Sequence, residues 1–176
     1  LLLSNLDANK SMLAAGKLSV ENGAHIVTQQ FLDSFLILSG SGITFGLVVA
    51  MLFAAKSKQY KALGKVAAFP AIFNVNEPVV FGFPIVMNPV MFLPFILVPI
   101  LAAIIVYASI AIGFMHPFSG VTLPWSTPAI ISGFMVGGWQ GAFVQVLVLA
   151  TSTVVYFPFF KFQDNLAYNN ELQAEK

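Results

Sequence analysis

The chain contains no cysteine and no arginine, and these two absences exclude several kinds of site. Without thiols there are no disulfides, no cysteine-ligated zinc and no thiol nucleophile. Lysine supplies all eight basic residues against seven acidic ones, which gives a net charge of +1. Because a nucleic-acid-binding surface needs clustered basic charge in excess, nucleic-acid binding is not predicted.

Charge of either sign is scarce. Only 9% of the 176 residues are charged, whereas 58% are hydrophobic, and the mean hydropathy is +0.86. Soluble domains carry about 25% charged residues, so this composition predicts a membrane-embedded chain. Across residues 66–160 the only formal charge is Glu77.

Three apolar runs predict membrane crossings, at residues 35–55, 90–115 and 142–160. A helix rises about 1.5 Å per residue, so runs of this length span a hydrocarbon core of about 30 Å. The spacing of Gly42 and Gly46 in the first run is typical of close helix packing. We therefore expect an all-α polytopic membrane protein with about three transmembrane helices.

The segments between these runs are apolar but interrupted by proline and glycine. Residues 66–89 contain Pro70, Pro78, Pro84 and Pro89, and residues 116–138 contain a similar series around Trp125. Proline breaks helices, and broken backbone at membrane depth persists only where protein or water satisfies it. Both segments are predicted to be re-entrant broken hairpins, an arrangement that transporters use to frame a site near the midplane.

The ends of the chain are more polar, and they divide it into three parts. Residues 1–23 are expected to form either a short amphipathic helix, capped by Asp7, or a solvated connector. Residues 24–160 form the membrane domain. The four lysines of residues 56–65 predict a short cytoplasmic loop, so the first crossing runs inward. By parity, residues 161–176 form a cytoplasmic tail.

Glu77 is the first candidate for chemistry, since an intramembrane carboxylate costs about 2.5–3.5 kcal/mol unless it is paired or solvated. Asn74 and Asn76 flank it, and Pro78 prevents a continuous helix, so opened backbone with amides could bind a polyol. The alternative is a glutamate in a cytoplasmic turn. Trp125 could stack on a sugar ring, or could equally anchor the chain at the membrane interface.

Other polar residues give weaker signals. His25 and His116 have no partner at helical spacing, so no metal site is predicted. Gln29, Gln30 and Asp33 open the first crossing and are consistent with the wet end of that helix. Hydrolase and nucleotide-binding motifs are absent from the sequence.

Two segments, NEPVVFGFPIVMNP and PWSTP, carry a resemblance to a known family. Together with the surrounding sequence from His25 onward, they resemble the membrane permease component IIC of the bacterial phosphotransferase system for lactose, cellobiose and chitobiose-type disaccharides. The resemblance covers nearly the whole chain. It corresponds to about the C-terminal two-fifths of a permease.

The resemblance implies a dimeric permease of the bacterial plasma membrane that carries a β-linked disaccharide inward. A IIB partner, which is itself phosphorylated by IIA, would donate phosphate to the sugar 6-hydroxyl. The phosphoryl donor lies on IIB, so this chain supplies the permease part and no cofactor is expected. In this family the residues matching Glu77 and Asn74 face the sugar and the one matching Trp125 lies nearby, and Glu77 would orient or deprotonate the 6-hydroxyl.

One feature of the family is missing. Its site includes a histidine followed by glycine on a helix upstream of this region, and neither His25 nor His116 is followed by glycine. The chain is therefore expected to be part of a longer permease. Two other readings remain: a proton- or ion-coupled transporter that uses Glu77, and a membrane fragment that does not transport.

Overall fold

The computed structural model describes residues 1–83, 85–121 and 123–174, and within these ranges the chain is helical without β-strands, as predicted. The helices are α1 (Leu2–Ala14), α2 (Gln29–Phe31), α3 (Phe45–Ala54), α4 (Lys58–Ile72), α5 (Glu77–Gly82), α6 (Pro89–Ala111) and α7 (Ile131–Ala174). A π-helical turn (Leu32–Leu36) continues α2, and short 3-10 turns lie at Val20–Asn22, Ser41–Ile43 and Ile85–Met87.

Two helices, α6 and α7, are long and apolar enough to cross a membrane. The segment Gln29–Ile43 and α3 together would add a third span, bent by 49°. Both α3 and α6 pack on α7, and side chains such as Phe35, Leu47 and Val148 are fully buried at their centre. The all-α fold class is confirmed.

The predicted continuous helix over residues 35–55 is wrong, because the chain breaks between Ile37 and Thr44. Ser39, Gly40, Gly42 and Ile43 all have positive φ. At Gly40 a Cβ atom would lie 2.3 Å from the Asn76 side chain, so a residue without a side chain is needed there. Gly42, which suggested helix packing, therefore breaks the helix together with Gly40.

Close packing does occur one turn later, at Gly46. A Cβ atom there would lie 2.3 Å from the backbone nitrogen of Thr153, so α3 approaches the backbone of α7 directly. The Gly46 amide donates to the Ser152 hydroxyl at 3.2 Å. The predicted close packing is thus found at Gly46 against α7, and Gly42 also packs closely, against the Phe95 ring of α6, where a Cβ atom would lie 2.3 Å away.

The predicted lysine loop is mostly helix. Lys58, Lys61 and Lys65 lie within α4, which begins after Ser57, and only Lys56 precedes it. The Ser57 hydroxyl accepts from the Tyr60 amide at 3.4 Å, and this N-cap allows the helix to begin within the polar run.

The first predicted hairpin, residues 66–89, is interrupted between α4 and α5 and again before α6, whereas Pro70 lies inside α4 and does not break it. Helix α4 ends after Pro70, the chain reverses at Asn74 with φ of 63°, and α5 follows with Pro78 in its first turn. Pro84 lies outside the described residues, and Pro89 opens α6.

In the second interrupted segment, residues 116–121 and 123–130 form no regular helix, and α7 is kinked at Gly137 and Gly138.

Both ends of the chain differ in detail from expectation. Helix α1 begins at Leu2, so Asp7 lies mid-helix and is not its cap. Helix α7 continues through the predicted crossing to Ala174, so most of residues 161–176 is helical. The last two residues of that tail lie outside the described residues. Helix α7 is not one straight helix, because it breaks at Gly137 and Gly138, but the part after the break, residues 139–174, is still about 54 Å long and exceeds the bilayer core.

Candidate functional site

A cavity of about 350 Å³ lies where the interrupted segments meet. Its wall combines residues from α1, from the start of the broken span, from the tip of the first hairpin and from the second interrupted segment. Polar and aromatic members of the wall are Lys10, Gln29, Gln30, Asp33, Ser34, Asn74, Trp125, Thr127 and Ser132. Small-molecule sites are typically about 300–1,000 Å³ and carry a few convergent polar groups, so the cavity has suitable dimensions.

Asn74 connects three segments through its side chain. Its Oδ1 atom accepts from the Ser39 amide at 2.6 Å, in the break of the first span. Its Nδ2 atom donates to the carbonyls of Trp125 at 2.7 Å and Thr127 at 3.0 Å, in the second interrupted segment. The sequence predicted Asn74 as a site residue, and the structure places it in the cavity wall.

Trp125 lies in the same wall, 73% exposed. Its backbone belongs to a turn in which the Thr127 amide and hydroxyl both contact the Pro124 carbonyl, at 3.0 and 2.7 Å. An exposed indole beside amides and a carboxylate is a suitable arrangement for one apolar and one polar face of a ring. The structure therefore brings Asn74 and Trp125 together, although 51 residues separate them.

Asn76 and Glu77 lie on the same hairpin but do not line the cavity. Asn76 is buried, and its Nδ2 donates to the Ser41 carbonyl at 2.7 Å and to the Thr44 hydroxyl at 3.3 Å. Glu77 is exposed at the start of α5. Within the described residues its carboxylate has no hydrogen bond or ion pair, so it remains able to accept.

Gln29, Gln30 and Asp33 line the cavity. The sequence had indicated only that they form the solvated end of the first crossing. Gln30 donates to the Val121 carbonyl at 2.6 Å and accepts from the Gly120 amide at 2.9 Å, while Gln29 donates to Asp33 at 3.0 Å. The Gln30 contacts cross from the first span to the second interrupted segment. Because the partners of Gln30 are backbone groups 90 residues away along the chain, no local pattern in the sequence indicates these contacts.

Sequence reasoning missed Gln145, which is fully buried in α7. Its Oε1 accepts from the amides of Ile130 and Gly133 at 2.6 and 2.9 Å, and its Nε2 donates to the Ser34 carbonyl and the Ser132 hydroxyl at 2.7 and 2.9 Å. The available signal was that Gln145 is the one amide side chain in the apolar run 142–160. Through these bonds Gln145 holds Ser34 and Ser132, which are two residues of the cavity wall.

Nothing in the sequence indicated that Lys10 also lines the cavity, because α1 was not expected to contribute to a site. Its aliphatic chain packs over Gly120, where a Cβ atom would lie 2.1 Å from the Lys10 Cε, and its ammonium is 3.4 Å from Asp7. No group of three or more His, Cys, Asp or Glu side chains in the ranges that the structure describes could hold a metal ion.

Comparison with known proteins identifies the family. The family model described as "Phosphotransferase system, EIIC" matches residues 2–99. The lichenan permease IIC component of Bacillus subtilis (strain 168) is 43% identical over 172 residues, which are 97% of this chain and 37% of that protein. The cellobiose-specific EIIC component of Geobacillus stearothermophilus is 44% identical over 142 residues, 80% of this chain and 32% of the relative.

A solved structure agrees with these relatives. The crystal structure of the transporter ChbC, the IIC component from the N,N'-diacetylchitobiose-specific phosphotransferase system, superposes with a TM-score of 0.88 at 38% identity. It covers 97% of this chain and 39% of that one, so the chain spans about two-fifths of the length of its relatives. The broken helices that surround the cavity thus match those of a solved EIIC component, and the chain belongs to the EIIC family of the phosphotransferase system.

Proposed function

We propose that the permease containing this chain binds a β-linked disaccharide and carries it inward for phosphorylation by phosphorylated IIB. The observation that carries the proposal is the cavity at which Asn74 and Trp125 meet the amides and carboxylate of the first span. Hydroxyl-rich ligands need donors, acceptors and an apolar ring face, and this wall offers all three. Relatives named for lichenan and cellobiose support the substrate class.

Four residues form the proposed sugar site: Glu77, Asn74, Asn76 and Trp125. Glu77 is exposed beside the hairpin tip and would accept hydroxyl protons, orienting or deprotonating the sugar 6-hydroxyl as phosphate arrives. Trp125 would stack on the ring. Asn76 supports the tip through the break of the first span. Residues 24–160 would form the membrane transport unit, within a homodimer of the complete permease in the lipid bilayer.

The same proposal gives the chain an orientation, with the C-terminal end of α7 in the cytoplasm. Lys56 lies close to this end, since its ammonium is 3.4 Å from the Asn165 side chain. Lys161 donates to the Ala54 carbonyl at 3.2 Å, so the lysine-rich start of α4 and the end of α7 share one side. Lysines concentrated at one end favour the cytoplasmic face, where IIB and IIA would act.

The test is equilibrium binding of labelled cellobiose, lactose and chitobiose to the purified complete permease, as wild type and as Glu77→Gln. A hydrogen bond to a charged group contributes about 1.5–3 kcal/mol, so we expect affinity to fall about 10- to 100-fold with an unchanged unfolding temperature. The matched control is Glu21→Gln, an exposed position in the N-terminal segment. Equal affinity for the Glu77→Gln variant and the wild type would remove Glu77 from the site.

A further inference from the structure

Asn74 can contact a sugar directly only if its side-chain amide has a hydrogen-bonding position that is not already occupied. A primary amide has two donor hydrogens and two acceptor lone pairs. Both Nδ2 hydrogens are committed, to the carbonyls of Trp125 and Thr127, and one Oδ1 lone pair is committed to the Ser39 amide. One lone pair remains, so in this arrangement Asn74 can donate nothing to a sugar.

Trp125 depends on these bonds for its position. Its side chain is 73% exposed, so packing does not hold the indole. What fixes the backbone from which the indole projects is the turn of residues 124–127, whose carbonyls at Trp125 and Thr127 both accept from Asn74. If this amide is withdrawn, the turn keeps only its internal bonds to the Pro124 carbonyl.

Ser39 depends on Asn74 in the same way. It is 1% exposed with φ of 55°, so its backbone amide cannot turn to water and needs an internal acceptor. Its hydroxyl is buried without a partner among the described residues. Positive φ and an unsatisfied hydroxyl both cost free energy, and such strain persists where the surroundings fix it.

The Asn74 backbone suits a bridging role. Its φ of 63° is in the left-handed region, which asparagine, aspartate and glycine tolerate better than other residues. The position therefore selects a short side chain that turns back towards two other segments. It lies at the point where the first hairpin reverses.

We infer that Asn74 is a positioning residue, whose amide joins the break of the first span, the tip of the first hairpin and the Trp125 turn into one sugar-binding wall. The inference rests on the proposed function and deepens it. Asn74 acts through Trp125 and Ser39, and the three broken segments move as a unit as long as its three hydrogen bonds hold.

Two variants separate the bonds. Asn74→Asp keeps an acceptor for the Ser39 amide, but whether ionised or protonated it can satisfy at most one of the two carbonyls. Asn74→Gly tolerates the backbone conformation and removes all three bonds. The matched control is Asn170→Asp, the same chemical change at an exposed position of α7.

The measurement is amide hydrogen exchange of the sugar-free complete permease, together with binding of labelled cellobiose, lactose and chitobiose. For Asn74→Gly we expect exchange about tenfold faster or more in both residues 37–44 and residues 123–129. For Asn74→Asp we expect it only in residues 123–129. Both variants should bind sugar at least about tenfold more weakly, a loss of about 1.4 kcal/mol. The Asn170→Asp control should match the wild type in both measurements.

Weaker binding with unchanged exchange in both variants would overturn the inference, because Asn74 would then be a direct ligand only. Equal acceleration of residues 37–44 by both variants would overturn the separate role of the Oδ1 atom. If the wild type binds none of the three sugars, the proposed function fails, and the exchange pattern alone then decides whether Asn74 bridges the three segments.

Discussion

Two regions of the molecule satisfy backbone groups that regular helices leave unpaired, and they do so with different chemistry. Around the cavity, the interrupted segments are joined by neutral amides, namely Asn9, Gln30, Asn74, Asn76 and Gln145. At the corner between α3 and α4, the helix ends are joined by ionisable side chains of α7, namely Lys161, Asp164 and Glu171. The two regions differ in whether the unpaired backbone groups are N–H groups, C=O groups or both.

An interrupted segment presents both N–H and C=O groups, and an amide side chain offers the complement of each. Gln145 illustrates this, because its oxygen accepts from two amides while its nitrogen donates to a carbonyl and a hydroxyl. It also carries no charge, so its desolvation penalty in the apolar block of residues 66–160 is much smaller than that of an ionised side chain. Broken helices in a low-dielectric environment therefore favour asparagine and glutamine.

The corner presents one kind of group at each helix end. The start of α4 exposes N–H groups, and the Asp164 carboxylate accepts from Lys56 and Ser57 while the Glu171 carboxylate accepts from Lys58 and Gln59. The end of α3 exposes a carbonyl, which accepts from Lys161. Negative charge at a helix N-terminus and positive charge at a C-terminus are both stabilising.

Removing Gln145 should have the largest effect in the comparison. In Gln145→Leu, the buried Gly133 amide and the partly buried Ile130 amide and Ser34 carbonyl lose their partner, and each buried unsatisfied group costs about 1–3 kcal/mol. Since membrane-embedded unfolded states recover some partners, we expect a loss of about 3 kcal/mol. It would be measured as a lowered unfolding temperature of the complete permease in detergent.

The control for this change is Gln140→Leu, on the same helix. Gln140 is half-buried, and within the described residues its side chain has no hydrogen bond. Its replacement should leave the unfolding temperature nearly unchanged. Equal stability of the Gln145→Leu and Gln140→Leu variants would show that the amide contacts do not hold the broken segments.

How far the sequence predicts this arrangement depends on how local the signal is. Prolines marked the first hairpin correctly, because Pro78 and Pro89 act on their own backbone. The break at Ser39 was missed since no proline lies there, and Gly42 fits a packing motif equally well. Its cause is distant: the Asn76 side chain occupies the space beside Gly40.

The site was predictable to a similar extent. Glu77 and Asn74 stand out because polar residues are rare in an apolar run, and Trp125 stands out through its motif. Their mutual placement was not predictable, since the Asn74 contact to Trp125 joins residues in different hairpins. The helical tail was missed because the apolar run ends at Phe160, while the contacts that stabilise Asp164 involve the start of α4.

Asp164→Asn should have the next largest effect, because an amide cannot replace the carboxylate at the corner. Asp164 is fully buried, and its two oxygens lie 2.8–3.0 Å from the amides of Lys56 and Ser57. The variant keeps one acceptor and turns a donor towards an amide, which predicts a loss of about 1–3 kcal/mol in unfolding free energy.

Asp7→Asn is the control for the corner. Asp7 is exposed and forms a 3.4 Å surface ion pair with Lys10, a kind of contact that contributes about 0–1 kcal/mol. If Asp164→Asn destabilises the permease no more than Asp7→Asn, the buried carboxylate at the corner is replaceable by an amide, and the distinction between the two regions fails.

The smallest expected effect is the pH response of Glu171, which lies beyond the predicted crossing. A hydrogen bond from the Ser57 hydroxyl at 2.6 Å, supported by the Lys58 amide, lowers the pKa of the Glu171 carboxyl below its usual value. A depressed carboxyl pKa stabilises the folded state fully above the unfolded-state value, and this contribution is lost as the pH falls through the folded-state pKa.

The measurement is the difference in unfolding temperature between wild type and Glu171→Gln, followed from pH 7 down to about pH 3. We expect a difference smaller than that of Asp164→Asn at neutral pH, which shrinks below about pH 4.3 as the wild-type carboxyl takes up its proton. The amide network has no titratable member, so Gln145→Leu should show a constant difference over the same range. A difference for Glu171→Gln that also stayed constant would mean that the hydroxyl and amide contacts of this carboxylate, and not its charge, hold the start of α4.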